Sequence, residues 1–140
     1  EVSQAIVSNH GGQVPCEQAA LLSLPHVGLY IASAVRVFAY GMRDAVVDGS
    51  VIRLLQRLTG MSLGPDPRRD PRAFEVARSL VPVDARAHAY GMLDFAAEIC
   101  LPGIPRCTTC PLAGTTCMWS YRGEKTRAHP SLITAVADEP

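Results

Sequence analysis

Apolar residues recur about every three or four positions over most of the chain, which is the spacing of amphipathic helices. Glycine and proline residues interrupt this pattern repeatedly and divide it into helical segments. The predicted helices are one that ends at Gly11, one between Pro15 and Pro25, one between Gly28 and Gly41, one that begins after Asp48, one over Arg72–Val81 and one over Asp84–Cys100. The pattern therefore predicts an all-α fold.

Four of these helices carry an apolar stripe along one face. The stripes are Ala19, Ala20, Leu22 and Leu24; Ile31, Ala34, Val35 and Phe38; Val51, Leu54, Leu55 and Leu58; and Ala89, Leu93, Ala96 and Cys100. The segments that connect the helices predict other kinds of structure. Residues 45–47 predict a short extended link, residues 61–71 predict a loop rich in Gly, Pro, Arg and Asp, and the polar residues after Tyr121 predict a loosely packed tail.

Composition limits what such a helical chain can do. The 140 residues are 48% apolar and 19% charged, with 13 basic and 13 acidic residues, which excludes a disordered polyelectrolyte and a basic tail. One Lys accompanies twelve Arg, and arginine prefers planar partners such as phosphate and guanine. Because the net charge is zero, nucleic-acid binding must rest on local sites. Residues 18–35 are uncharged, but Pro25 and Gly28 interrupt them, so we expect no membrane helix.

Four of the five cysteines are clustered, at Cys100, Cys107, Cys110 and Cys117, with the spacing C-x6-C-x2-C-x6-C. Four thiolates in one short coil can surround a metal ion or cluster, and this reading implies a reducing compartment. Two metal centres are compatible with four cysteine ligands: a four-iron cluster and a tetrahedral zinc ion. Zinc sites usually pair two short C-x2-C units, so the wide flanking intervals favour the iron–sulfur cluster. Cys16 is remote and is interpreted as a small buried hydrophobic residue.

Residues 100–117, CLPGIPRCTTCPLAGTTC, resemble the iron–sulfur loop of the endonuclease III/MutY superfamily of DNA glycosylases. The family loop has the spacing C-x6-C-x2-C-x5-C, so this chain carries one extra residue before Cys117. The resemblance implies that the four clustered cysteines bind a 4Fe-4S cluster, with zinc as the alternative.

Residues 24–32, LPHVGLYIA, resemble the helix-hairpin-helix signature of the same family, L-P-G-V-G-x-x-T-A. A turn of this kind exposes successive backbone N–H groups at the start of a helix, where they can bind a phosphate without side-chain charge. His26 and Ile31 depart from the signature, and histidine tolerates the left-handed backbone that the turn requires. A plain helix–turn–helix corner is the alternative. The DNA-binding residues implied here are Leu24, His26, Val27, Gly28 and Tyr30.

Residues 46–53, VVDGSVIR, resemble the V-D-G-N-V-x-R segment that holds the catalytic aspartate of the family. The resemblance implies that Asp48 stabilises the oxocarbenium-like sugar, or steers water, while the glycosidic bond of a flipped base breaks. An aspartate there would also serve as a helix N-cap, which is the alternative reading. We predict that Arg53 contacts DNA; Arg36, Arg43 and Arg57 are either phosphate contacts or solubilising surface residues.

Tyr30 occupies the position at which bifunctional members of the family carry a catalytic lysine. Lys125, the one lysine of the chain, lies in the tail, so no amine is positioned for a Schiff base. The resemblance therefore implies a monofunctional enzyme, with little or no lyase activity, in which Tyr30 contacts the flipped nucleotide in the catalytic site.

The resemblance also predicts an architecture. Residues 1–75 would form the helix-hairpin-helix part of a six-helix barrel, residues 76–122 a small helical iron–sulfur domain, and residues 123–140 the tail. Family members begin with further helices that complete the barrel, supplied here by a missing segment or by another chain. We therefore expect residues 1–140 alone to expose an apolar face and to be poorly active.

The function implied is removal of a mismatched or damaged base from double-stranded DNA. Segments 9–15, 80–82 and 90–95 look closer to the branch that removes thymine or uracil opposite guanine, whereas residues 48–51 look closer to MutY, which removes adenine opposite 8-oxoguanine. A non-catalytic iron–sulfur DNA-binding module is the alternative from another class. The expected location is the cytoplasm, at a bacterial or archaeal nucleoid.

Overall fold

A computed structural model describes residues 1–123, with side chains through Ser120, and every regular element in that part of the chain is helical, which confirms the all-α prediction. The helices are α1 (Val2–His10), α2 (Gln18–Leu22), α3 (Leu29–Ala34) continued by a π-helical turn (Val35–Ala39), α4 (Gly49–Thr59), α5 (Pro71–Ser79), α6 (Ala85–Glu98) and α7 (Met118–Gly123), with short 3₁₀ turns at Pro67–Arg69 and Cys107–Thr109. The predicted tail and Lys125 lie outside the described residues. Among the described helices, none has the length and apolar character needed to span a membrane.

Capping residues determine where several of these helices begin and end. Asp48, Asp70 and Asp84 each precede a helix and accept backbone N–H groups of its first turn, which would otherwise lack partners. Gly11 closes α1 in the left-handed conformation, with φ at 59°. The predicted end of α1 and the predicted start of α4 after Asp48 are both confirmed.

Helix α4 lies at the centre of the fold, against α5, α6 and α7. Its residues Val51, Ile52, Leu54 and Leu55 are buried. The extended link that leads into α4 is buried as well, because the side chains of residues 45–47 enter the same core. The main cluster consists of Val37, Ala45, Val46, Val47, Val51, Ile52, Leu55, Ala73, Phe74, Ala77, Val81, Ala85 and Ala89.

The predicted stripes hold on the long helices and fail at three positions of the hairpin, because Ala19 is exposed in addition to Leu22 and Ile31. On α4 and α6 the stripe residues are buried or half-buried. In the hairpin, Leu21 and Ala32 are buried, whereas Leu22 is 40% exposed and Ile31 is 43% exposed. Helices α2 and α3 have only five and six residues, which is too short for the spacing of apolar residues to fix the buried face.

Helix α5 runs through the boundary predicted between residues 75 and 76. In addition, Leu54 of α4 shares a buried cluster with Ala96 and Cys100, so apolar contacts join the two predicted units. The division into domains at residues 75 and 122 stays a prediction.

Candidate nucleic-acid interface and cysteine loop

The turn between α2 and α3 has the backbone geometry of a tight hairpin. The Val27 N–H donates to the Leu24 carbonyl at 3.3 Å, and His26 has φ at 61°, in the left-handed region. Gly28 follows in an extended conformation and is the N-cap of α3. His26 thus adopts the conformation that the family signature assigns to glycine, as its tolerance of that region predicts.

The hairpin residues differ in what they expose. The Leu24 side chain is only 5% exposed and packs with Leu21 and Ala32, so the DNA contact predicted for it can involve only its backbone. The side chain of His26 is exposed, with Nε2 3.1 Å from Glu1 Oε2. Tyr30 is 44% exposed on the first turn of α3.

The amino end of α3 has unused hydrogen-bond donors. The backbone N–H groups of Gly28, Leu29 and Tyr30 have no acceptor within the described part of the chain. The first amides of any helix lack an internal partner, and such amides can bind an anion. The hairpin therefore has these donors in the same helical turn as the exposed Tyr30 side chain.

Asp48 caps α4 with one oxygen and leaves the other available. Its Oδ1 accepts from the N–H groups of Ser50 and Val51, both at 2.8 Å, and from Ser50 Oγ at 2.6 Å. Among the described residues nothing donates to Oδ2. The carboxylate is half-buried. The N-cap role of Asp48 is therefore a structural fact, and it keeps the carboxylate in one orientation while Oδ2 stays open.

The hairpin and Asp48 are held on one core. Leu29, at the start of α3, packs against the main cluster, which also contains Val47 and Val51 on either side of the N-cap. This packing places the first turn of α3, with Tyr30, and the first turn of α4 against the same group of buried side chains.

Asp44 is a buried charged residue in the link between these two helices. Its Oδ2 accepts from Arg36 Nε at 2.9 Å, and its Oδ1 accepts from Arg78 Nε at 3.1 Å and from the Ala45 N–H at 2.8 Å. Burial by itself would raise the pKa of Asp44, but these hydrogen bonds outweigh it and the pKa lies below its ordinary value. The carboxylate is thus held ionised in the core by two arginines.

The four clustered cysteines converge on the space between α4, α6 and α7. All four line one cavity, together with Leu54, Phe95 and Trp119. Burial and the neighbouring thiolates of Cys110, Cys117 and Cys100 raise the pKa of Cys107. In the described residues, no group of three or more His, Cys, Asp or Glu side chains is arranged to hold a metal ion. The four thiols share one cavity.

Two arginines of α4 attach the cysteine loop to the centre of the fold. Arg53 donates to the carbonyls of Ala96 and Cys100 at 2.8 and 2.9 Å. Arg57 donates to the carbonyls of Leu101 and Gly103, and its Nη1 lies 3.5 Å from Cys100 Sγ. The guanidinium carbon of Arg57 also lies 5.0 Å from the ring centre of Trp119, so this tryptophan packs beside the loop.

These contacts change the interpretation of the arginines. Arg36 binds Asp44 and the Cys16 carbonyl, and Arg43 binds the Val81 carbonyl through two nitrogens. Together with Arg53 and Arg57, they use the planar guanidinium for acceptors within the chain. The DNA contact predicted for Arg53 stays a prediction. Cys16 is half-buried rather than buried.

The sequence analysis does not identify two residues of the site, Ser50 and Asp44. Ser50 places a hydroxyl on Asp48, and the short Asp-Gly-Ser run is a local signal that could have indicated this contact. Asp44 shows no local signal, because its partners Arg36 and Arg78 lie 8 and 34 residues away in the chain.

Comparison with known proteins places this geometry in a class. No protein-family model matches the chain. Over 129 residues it is 38% identical to a thymine/uracil-DNA glycosylase of Pyrobaculum aerophilum, covering 89% of this chain and 56% of that protein. It is 33% identical to an adenine DNA glycosylase of Mycolicibacterium smegmatis, covering 88% of this chain and 41% of that protein. The structure of a thermostable thymine-DNA glycosylase superposes with a TM-score of 0.81 and 32% identity, covering 87% of this chain and 56% of that one.

The fold and the hairpin are those of a helix-hairpin-helix protein. The chain belongs to the endonuclease III/MutY superfamily of DNA glycosylases, and the predicted resemblance is confirmed. It spans about half the length of the curated relatives it matches.

Proposed function

We propose that this protein is a monofunctional base-excision-repair DNA glycosylase that removes thymine or uracil opposite guanine. The observation that carries the proposal is the half-buried Asp48, whose Oδ1 is fixed by three donors while Oδ2 remains open. Two similarities support the branch, one to a thymine/uracil-DNA glycosylase and one to the structure of a thymine-DNA glycosylase.

Asp48 acts on the sugar of a base that has left the duplex stack, because the glycosidic bond is not accessible within the stack. The bond between C1′ and the base nitrogen breaks, and its electron pair leaves with the base, which takes up a proton. Positive charge then develops on the sugar, where the ionised Asp48 stabilises it. Water adds to C1′ and releases its proton, so the products are the free base and an abasic site.

The hairpin grips the DNA backbone. Its contribution is the set of amides at Gly28, Leu29 and Tyr30 that have no acceptor among the described residues, which suits a phosphate oxygen. The exposed side chains of His26 and Tyr30 flank these donors, and Val27 helps to seat the turn on Leu24. Because the donors are backbone groups, this grip is compatible with a chain of zero net charge.

The reaction stops at the abasic site. Strand cleavage by a bifunctional glycosylase needs an amine that attacks C1′, and this chain has Tyr30 where that lysine would stand. Tyr30 instead contacts the extruded nucleotide. The product strand therefore remains intact until it is treated with alkali.

The cysteine loop suits a 4Fe-4S cluster better than zinc. Its donors are four thiols that share one cavity, and the intervals on either side of the C-x2-C pair are wide. In a four-iron cluster each thiolate binds a different iron, so the thiolates stand further apart than on one zinc ion. When bound, the cluster supplies a redox-active centre. The ligands would be Cys100, Cys107, Cys110 and Cys117.

A panel of duplexes tests the proposed function. Each duplex carries one mismatch, and the products are treated with alkali to break abasic strands. We expect cleavage of the thymine or uracil strand opposite guanine, with no break before alkali. Release of adenine opposite 8-oxoguanine instead would assign the chain to the MutY branch, which its similarity to an adenine glycosylase also allows. Binding without release of any base would support the alternative function, a non-catalytic DNA-binding module.

The proposed function also implies a location. We propose that the protein acts on cellular DNA in a cytoplasmic nucleoid.

A further inference from the structure

Arg68 lies beside Gly49, the residue that follows Asp48, although it is 19 positions further along the chain. It belongs to the 3₁₀ turn Pro67–Arg69, in the connection between α4 and α5. Its Nε and Nη2 atoms lie 3.5 Å from the position that a Cβ atom on Gly49 would occupy. Since Gly49 is the first residue of α4, the guanidinium lies over the first turn of the helix that Asp48 caps.

Unlike the two neighbouring arginines, Arg68 has no carboxylate partner among the described residues. Arg69 pairs with Asp66 at 3.4 Å and Arg72 pairs with Asp70 at 2.6 Å. No carboxylate of the described residues pairs with Arg68, and its side chain makes no hydrogen bond within them. Asp66 and Asp70, the two aspartates of this loop, thus pair with Arg69 and Arg72, and the exposed guanidinium of Arg68 is left without a carboxylate partner among the described residues.

In the free protein this cation lies at the amino end of α4, and no carboxylate of the described residues is within ion-pair distance of it. A positive charge at the amino end of a helix opposes the helix dipole. A bare cation near Asp48 would also oppose the positive charge that builds up on the sugar during base release. Both effects are relieved if an anion covers the guanidinium, and a bound duplex supplies phosphates on either side of the reacting sugar.

We propose that Arg68 binds a DNA phosphate adjacent to the extruded nucleotide. It is then a substrate-contacting residue outside both family motifs, and it adds to the affinity for the duplex. Arginine suits the task because its planar group can donate two hydrogen bonds to one phosphate. The assignment rests on the proposed glycosylase function, since only that function brings an extruded nucleotide to Asp48.

Binding measurements on the metal-loaded full chain test the proposal. We would compare Arg68→Gln, Arg68→Lys and the control Arg69→Gln, each in an Asp48→Asn background that prevents turnover. The probe is a duplex with a tetrahydrofuran abasic-site analogue opposite guanine, titrated by fluorescence anisotropy at several salt concentrations. Thermal unfolding of each variant verifies that the fold is retained.

We expect Arg68→Gln to raise the Kd about tenfold, as loss of one charged hydrogen-bonded contact does. It should also reduce the slope of log Kd against log salt by about 0.9, the value for one phosphate. Arg68→Lys should keep the salt slope, and Arg69→Gln should leave both quantities unchanged. Equal losses in Arg68→Gln and Arg69→Gln, or no loss in either, would overturn the assignment.

Single-turnover rates with Asp48 intact separate this proposal from the proposed function. We expect Arg68→Gln to keep its maximal rate at saturating DNA and to require more DNA to reach it. A faster maximal rate with unchanged Kd would mean that Arg68 merely opposes the reaction, which overturns the contact. If the parent chain releases no base from any duplex while Arg68 still governs binding, the glycosylase function fails and the phosphate contact stands.

Discussion

The buried carboxylate of Asp44 accepts a hydrogen bond from Arg36 Nε at 2.9 Å. This pair ties the π-helical turn after the hairpin helix to the extended link that leads into Asp48. Arg78 of α5 binds the other oxygen of the same carboxylate. The position of Asp48 relative to the hairpin therefore depends on a charged residue four positions before it.

Replacing Asp44 by Asn should strongly destabilise the fold. The variant leaves Arg36 with no ionised partner, although its side chain is only 15% exposed. Removing one member of a buried ion pair typically costs about 3–5 kcal/mol, and we expect a loss of about 3 kcal/mol in the free energy of unfolding. Urea denaturation measures it. The matched control is Asp66→Asn, which removes an exposed pair and should cost less than about 1 kcal/mol. Equal effects in the two variants would contradict this role.

The same pair predicts a dependence of stability on pH. The pKa of Asp44 is lowered from 3.8 in the folded state, so the folded protein binds fewer protons at this site than the unfolded chain. The stabilisation that the Asp44 carboxylate gives the fold is complete above pH 3.8, and it is lost as the pH falls through the pKa of the folded state. The stability difference between the parent chain and Asp44→Asn should therefore be constant near neutral pH and shrink in acid. If the difference in unfolding free energy between the two proteins were the same at pH ~2 as at neutral pH, stability would not depend on ionisation of Asp44.

The helix ends and the core of α4 could be predicted from the sequence because their causes are local. Gly11 and Asp48 each form hydrogen bonds with backbone groups of the adjacent helical turn. The buried face of α4 follows from the spacing of its own apolar residues. The Asp44 network could not be predicted, because its partners come together only after the chain has folded. The buried face of the hairpin helices could not be predicted from spacing either, because α2 and α3 have only five and six residues.

Ser50→Ala should lower the rate of base release more than it weakens DNA binding. The substitution removes the 2.6 Å hydroxyl contact on Asp48 Oδ1 and leaves the two backbone donors in place. We expect a loss of about 1 kcal/mol, which corresponds to about a fivefold slower single-turnover rate. Ser79→Ala is the control, because that exposed hydroxyl bonds only a helix carbonyl. A rate equal to that of the parent chain would show that the two amides suffice.

Arg53→Lys should loosen the cysteine loop. Lysine cannot reproduce the fork that donates to the carbonyls of Ala96 and Cys100, although it keeps the charge. Substitutions that disturb support of a metal site usually cost about 10–100-fold in affinity, so we expect about tenfold faster loss of metal to a chelator. Metal analysis and the visible absorption of an iron–sulfur cluster follow the loss. Arg86→Lys, at an exposed position on α6, should lose metal at the parent rate.

The four cysteines illustrate how far the site could be predicted. Their spacing indicates a shared metal centre, and the structure places all four around one cavity. The sequence could not show that Arg53 and Arg57 hold the loop, because either arginine could equally have faced solvent or DNA. Tertiary contacts decide the partners of such long side chains.

The central claim is that the Asp48 carboxylate drives base release, and Asp48→Asn tests it most directly. Asparagine is also a good N-cap, so the helix should remain intact. On a duplex with thymine opposite guanine, we predict that the variant binds within about threefold of the parent chain and releases base at least about 100-fold more slowly. Base release at the parent rate by Asp48→Asn would contradict the account.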